Sequence, residues 1–208
     1  MDPQEFVETV RDENKTALSR LGSSKALYAD TEGEMETDAV VAAAYGRAVH
    51  AADTLESWAD DEVDTDTADL FAETAATERD HAETIAAEGS DPAAGDPPAV
   101  QARLREVEGT VERLGAFVGW ALAAANNTDQ LVGYFVGQAS PGVSQTFREV
   151  SGAQDDYPEA AAELLASVCD AEGDWDRAVA AASDAVQADY DDYFETLEEL
   201  GVNPKPVC

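Results

Sequence analysis

One stretch of this chain decides its fold: residues 70–82 read Leu-Phe-Ala-Glu-Thr-Ala-Ala-Thr-Glu-Arg-Asp-His-Ala. Small and apolar residues recur in it at helical spacing, which predicts an amphipathic helix. Glu78 is the one polar member of this apolar stripe, and burying a lone carboxylate is costly, so it must be paired, protonated or bound to a metal ion. His81, three residues on, lies beside Glu78 on the helix surface. The stripe consists of Phe71, Ala75, Glu78, Ala82 and Ile85.

Outward from this stretch, helical periodicity covers most of the chain and strand alternation is absent, which predicts an all-α protein. We expect a single domain over residues 1–208, an antiparallel four-helix bundle with residues 1–22 appended as an N-terminal helix. Helix B should be capped by Thr65 or Asp66. The predicted helices are the N-terminal helix (3–21), A (37–59), B (67–87), C (98–125), two short helices (128–139 and 143–150) and D (157–200).

The charge of the chain excludes several classes of protein. It has 12 basic against 45 acidic side chains, a formal net charge of −33. A nucleic-acid-binding surface needs basic residues, so we expect no nucleic-acid partner, and the same charge disfavours an anionic membrane. Such like-charge repulsion is screened only at high salt, which points to an extreme halophile. The chain begins with acidic residues and no apolar run, which predicts a cytoplasmic protein.

A second carboxylate interrupts the apolar stripe of helix D at Glu172, and Trp175 follows three residues later. Tyr45 stands on the core-facing stripe of helix A. Two interpretations remain open. Glu78, His81 and Glu172 hold a metal ion, or they form a buried polar cluster that Tyr45 and Trp175 complete by hydrogen bonding.

Residues 70–82, together with the alanine-rich helix before them, resemble the first helical hairpin of rubrerythrins in the ferritin-like superfamily. The resemblance covers about residues 37–87 and is architectural beyond them. It implies a ferritin-like bundle with a di-iron carboxylate site, in which Glu78 and His81 match the ligand pair of the second helix. Tyr45 stands where the first-helix glutamate belongs, and Trp175 where the second histidine belongs. The chain has no Cys-x-x-Cys pair for a rubredoxin-type iron domain.

These observations leave two hypotheses of function. In the first, the chain is a rubrerythrin-like protein with an incomplete di-iron site that acts as a structural or interaction module. In the second, it is a metal-binding oxidoreductase in which Glu78, His81 and Glu172 hold iron or manganese, and the resemblance implies peroxide or oxygen chemistry. The apolar segments 115–120 and 131–136 are either core or a subunit interface, and we expect a homodimer.

Overall fold

The structure, a computed structural model, describes residues 1–171 and 173–204. These residues form α-helices joined by turns and loops, with no β-strand among them, so the all-α prediction is confirmed for this part of the chain. None of the described helices is both long and apolar enough to cross a bilayer. In chain order the helices are α1 (Pro3–Glu13), α2 (Lys15–Leu21), α3 (Ser24–Asp30), α4 (Thr37–Asp61), α5 (Thr65–Ala86), α6 (Ala99–Leu104), α7 (Thr110–Gly137), α8 (Pro141–Gln154), α9 (Tyr157–Val168) and α10 (Asp174–Glu199).

Helices α4 and α5 correspond to the predicted helices A and B and form a hairpin with a three-residue link. The link ends in Asp64, whose carboxylate accepts a hydrogen bond of 2.9 Å from the backbone N–H of Thr67. This bond satisfies one of the free N–H groups at the start of α5. The cap is therefore Asp64, and the prediction of Thr65 or Asp66 is wrong by one or two residues.

The predicted helix C is wrong in its bounds. Gly109 has a positive φ of 89°, a conformation that favours glycine, and it separates α6 from α7. Helix α7 then continues past Asn126 and Asn127, where the sequence predicted an end. The Asn126 amide donates to the carbonyl four residues earlier at 2.9 Å, and the Asn127 amide donates to Asp30 at 2.6 Å. Because both amides are bonded within a continuing helix, the short helix predicted at 128–139 is the end of α7.

The predicted helix D is two helices. Helix α9 ends at Val168, and α10 begins at Asp174. The Asp174 carboxylate accepts hydrogen bonds from the backbone N–H groups of Asp170 at 3.0 Å and Ala171 at 2.8 Å. These bonds stabilise a separate start for α10 and favour a break over one continuous helix. Glu172, predicted on helix D, lies outside the described residues.

Helices α8 and α9 together run back along α7. The rings of Phe135 and Phe147 stack with 5.3 Å between their centroids, near the turn between α7 and α8. Further back on α7, Trp120 stacks at 6.1 Å against Tyr157 at the start of α9. Residue numbers fall along α7 as they rise along α8 and α9, so both helices are antiparallel to α7.

Helix α10 packs closely against α7 through two glycines. A Cβ added to Gly115 would overlap the backbone of Ala178, and one added to Gly119 would overlap the backbone of Ala182. The two glycines are four residues apart and so share the face of α7 that α10 approaches. Both contacts advance in the same direction along the two helices, so α7 and α10 are parallel.

The N-terminal helix predicted at 3–21 is interrupted at Asn14, which separates α1 from α2. The buried Asn14 amide donates to the Val10 carbonyl and to Ser183 Oγ on α10, each at 2.9 Å. The bond to Ser183 holds the junction of α1 and α2 against α10. The segment predicted as a loop after residue 22 contains α3, and α1 to α3 pack against α7, α9 and α10.

Two hydrophobic clusters form the core, and polar side chains separate them. The first cluster includes Ala75 of α5 and Ala123 of α7, and the second includes Ala82 and Leu131 of the same helices. Segment 115–120 is buried and supplies Phe117 to this core, and the partly buried segment 131–136 supplies Phe135. Between the clusters lie buried and half-buried polar residues, which we call the polar layer: Asp30, Arg47, Glu78, His81, Asn127, Thr128, Gln154, Tyr157 and Asp189.

Candidate functional site in a buried polar layer

Glu78 points into the core, as its position on the apolar stripe predicted. Its exposed fraction is 2%, and the four other stripe residues of α5 are also buried. Bulk solvent therefore does not reach this carboxylate, and its charge must be satisfied by groups inside the protein.

Three polar groups converge on one oxygen of Glu78. The Tyr157 hydroxyl donates to Oε1 at 3.1 Å, the Gln154 amide donates to it at 3.4 Å, and His81 Nδ1 lies 3.3 Å from it. The Thr128 hydroxyl donates to Gln154 Oε1 at 2.8 Å, which turns the amide nitrogen towards Glu78. We call these five residues the carboxylate network. Its members come from α5, α7, α8 and α9.

The other half of the polar layer surrounds Arg47 on α4. Its guanidinium donates to Asp30 at 2.6 Å and to Asp189 at 3.2 Å, and Asp189 is 2% exposed. Asn127 donates to the second oxygen of Asp30 at 2.6 Å. We call these four residues the arginine cluster. Asn127 and Thr128 are consecutive on α7, so this helix joins the two halves of the layer.

Burial and charge act in opposite directions on the arginine cluster. Burial disfavours the guanidinium charge, but the attraction of Asp189 and Asp30 outweighs it and raises the pKa of Arg47 above its usual value. For Asp189, burial disfavours the ionised carboxylate and therefore raises its pKa above the ordinary range, although the positive charge of Arg47 opposes this shift. Two carboxylates share one cation here, so the cluster has one negative charge in excess when both are ionised.

A small cavity of about 30 Å³ lies between the two halves. This volume is enough for one water molecule, and a site with several polar partners favours one. Its apolar walls come from α4, α5, α7 and α8. Its polar lining consists of Arg47, Glu78, Asn127, Thr128 and Gln154.

The structure brings two of the predicted site residues together. Glu78 and His81 are adjacent, whereas Glu172 lies outside the described residues, so the predicted metal set of these three stays a prediction. Within residues 1–171 and 173–204, no group of three or more His, Cys, Asp or Glu side chains is arranged to hold a metal ion. The predicted completion of the cluster by Tyr45 and Trp175 is wrong. Tyr45 packs on the second core cluster, and the Trp175 ring lies 5.7 Å from the ring of Phe6.

The sequence analysis did not predict the residues that pair with Glu78 and Arg47. Gln154 and Tyr157 are three residues apart, the same spacing as Glu78 and His81. This pair was not recognised, because the predicted helices ended at residue 150 and began again at residue 157. Asp189 had a visible signal, because it occupies a gap in the apolar stripe of α10 between Val186 and Tyr193. A carboxylate in an apolar stripe that is otherwise buried indicates a paired charge.

The Tyr157 hydroxyl is expected to stay protonated to higher pH than a free tyrosine. Burial and the neighbouring Glu78 charge both raise the pKa of Tyr157, because each disfavours a phenolate. An alkaline titration followed by phenolate absorbance should show the same early-ionising tyrosines in the wild type and in Tyr157→Phe. Loss of an early-ionising phenol in the variant would contradict the hydrogen bond to Glu78.

Comparisons of this chain with protein-family models, with curated proteins and with solved structures found no match.

Proposed function

We propose that this chain is a ferritin-like, rubrerythrin-related protein in which the polar layer occupies the place of a di-metal centre. In this proposal it acts as a structural or interaction module of the cell. The observation that carries the proposal is the pairing of Glu78-x-x-His81 on α5 with Gln154-x-x-Tyr157 at the junction of α8 and α9.

The helix arrangement supports this kinship. In di-iron carboxylate bundles, two helices each supply a Glu-x-x-His pair and two others each supply a glutamate, all facing inward. At the level of Glu78, α7 supplies Thr128 and α4 supplies Arg47. The four bundle helices would then be α4, α5, α7 and the α8–α9 pair. In this assignment α10, which was predicted as part of the fourth helix, is an additional helix parallel to α7.

The side chains of the polar layer favour hydrogen bonding over metal ligation. A ligand offers a lone pair to the metal, but the Gln154 amide and the Tyr157 hydroxyl each direct a hydrogen at Glu78. The cationic Arg47 lines the same small cavity and disfavours a divalent cation there. The polar groups of the layer thus satisfy one another, which fixes the register of the helices that contribute them.

The metal content of the purified protein tests this proposal. We expect wild-type protein from iron- and manganese-supplemented cells, purified at high salt, to contain well below one metal ion per chain by mass spectrometry. Glu78→Gln should have the same content, and its free energy of unfolding should change by no more than about 1 kcal/mol, since neutralising a buried charge is often tolerated.

The exposed Glu83 on the same helix provides the matched control, Glu83→Gln. One or more metal ions per wild-type chain, lost in Glu78→Gln and retained in Glu83→Gln, would contradict the proposal. That outcome would favour the alternative, an iron- or manganese-dependent oxidoreductase that uses Glu78, His81 and Glu172.

We further propose that the protein functions in the cytoplasm of a halophile. The support is the charge of −33, carried by side chains that are mostly exposed. At low ionic strength these carboxylates repel one another over about 10 Å or more, whereas molar salt reduces that range to about 3 Å.

A further inference from the structure

The turn between α7 and α8 has an unusual surface for so acidic a chain. Charged residues make up 27% of the sequence, yet residues 130–147 contain no Asp, Glu, Lys or Arg. Eight of these residues are exposed, and the others are buried or partly buried. We call the exposed part the charge-free surface. It consists of Gly133, Val136, Gly137, Gln138, Ala139, Pro141, Gly142 and Gln145.

Val136 is the apolar centre of this surface. Its side chain is 55% exposed, although it lies within a regular helix. Gly133, Val136 and Gly137 are spaced at i, i+3 and i+4, so they share one face of α7. The partly exposed side chains of Val132 and Val143 border the patch. Val136 thus lies among small and uncharged residues, on a surface where another molecule would meet no charged side chain.

Two glycines of the charge-free surface, Gly133 and Gly137 on α7, make no close packing contact within the described part of the chain. A Cβ added to Gly133 or Gly137 would meet no atom within 4 Å, in contrast to the close approach of α10 at Gly115 and Gly119. Glycine within a helix is unfavourable relative to alanine. The second glycine pair therefore weakens α7 without improving the packing of this chain, and a close approach by another molecule accounts for both positions.

The surface is held on a rigid support. Behind it, the rings of Phe135 and Phe147 stack with 5.3 Å between centroids. The Tyr134 hydroxyl donates to the Met35 carbonyl at 2.6 Å, which ties the end of α7 to the segment before α4. A partner would thus meet a preformed face, and little ordering would oppose binding.

We propose that the charge-free surface is the interface of a homodimer, with a second copy of this chain as its occupant. Two copies that approach through other faces bring carboxylates of both chains together, since 45 acidic residues are spread along the sequence. Around a twofold axis each surface meets itself, so this patch allows contact without opposed charges. Gly133 and Gly137 of both chains then permit close helix approach, and Val136 of each chain is buried. The interface does not depend on the metal content of the polar layer.

Sedimentation equilibrium of the full chain at molar salt tests the interface. We expect a wild-type dimer, and we expect Val136→Asp to raise its dissociation constant by about two orders of magnitude, because the substitution puts two uncompensated charges into each interface. The matched control is Val63→Asp, which adds the same charge at a 91% exposed position between α4 and α5. This control should remain dimeric.

Three outcomes would overturn the proposal: a monomeric wild type, a Val136→Asp variant that stays dimeric, or equal dissociation of both aspartate variants. Far-ultraviolet circular dichroism of each variant checks that it is folded. Because Val136 is exposed in the single chain, we expect Val136→Asp to fold normally, so that its dissociation reports on the interface.

Gly137→Gln gives a second, uncharged test. It should also weaken the dimer, because its side chain would hold the two helices apart, and a dimer of unchanged affinity in this variant would contradict the close approach at Gly137.

Discussion

Replacement of Arg47 by methionine should lower the free energy of unfolding by about 3–5 kcal/mol at neutral pH, the cost of breaking a buried ion pair from one side. Methionine fills a similar volume but leaves Asp189, which is 2% exposed, without its cation. Asp30 loses its bond to Arg47 and keeps its bond to Asn127. Chemical denaturation at fixed high salt measures the difference.

The pH dependence of this loss has a definite sign. Burial raises the pKa of Asp189 in the folded wild type, and removal of Arg47 raises it further because the guanidinium attraction is lost. A carboxyl group with a raised pKa in the folded state favours folding at acid pH, and this contribution disappears as pH rises through the folded pKa. The deficit of the Arg47→Met variant should therefore be smallest at acid pH and grow towards neutral pH.

Two further variants complete the Arg47 test. The double variant Arg47→Met with Asp189→Asn should be less destabilised than the sum of the single changes, because the charge left behind has been removed. Arg148→Met, at an exposed position on α8, should change stability by no more than about 0.5 kcal/mol. If Arg47→Met were no more harmful than Arg148→Met, the arginine cluster would not be a paired buried charge.

Gly119→Val should be the other strongly destabilising change, with a cost of about 3 kcal/mol, at the upper end of the range for overpacking. An added Cβ would overlap the carbonyl group of Ala182, and backbone atoms cannot move aside as a flexible side chain can. Helices α7 and α10 would have to separate, which opens the first core cluster between them. Thermal and chemical denaturation measure the loss.

A substitution at the exposed Gly152 provides the control for Gly119→Val. Gly152 lies exposed on α8, and a Cβ added to it would meet no atom within 4 Å. Gly152→Ala should stabilise the protein by about 0.5 kcal/mol through helix propensity alone. If Gly119→Val were tolerated as well as Gly152→Ala, the close parallel packing of α7 on α10 would be wrong.

The features that the sequence predicted well are those encoded by neighbours in the chain. The apolar stripe of α5 is local, since its residues recur every three or four positions, and so the inward direction of Glu78 and its contact with His81 could be read from spacing. The bounds of α4 and α5 followed from the same pattern. Helices C and D were predicted poorly, because their interruptions depend on Gly109 and on the bonds that Asp174 makes to the preceding backbone.

The polar partners of Glu78 could not be predicted in the same way. Tyr157 lies 79 residues from Glu78 in sequence, and Asp189 lies 142 residues from Arg47. The gap in the apolar stripe of α10 indicates that Asp189 is paired, but nothing local identifies Arg47 as its partner. Nothing local marks Gln154 or Tyr157 as a partner of Glu78 either, because glutamine occurs mostly on surfaces and tyrosine is common both inside and outside the core.

By itself, the sequence determined an all-helical protein with an acidic composition and one carboxylate facing inward from α5, because hydrophobic periodicity and net charge are properties of neighbouring residues and of composition. The tertiary structure alone decided which groups contact that carboxylate, which two carboxylates pair with the half-buried Arg47, and that α10 runs parallel to α7. These depend on how distant segments pack, and the packing is set by the shape and volume of whole helices in contact.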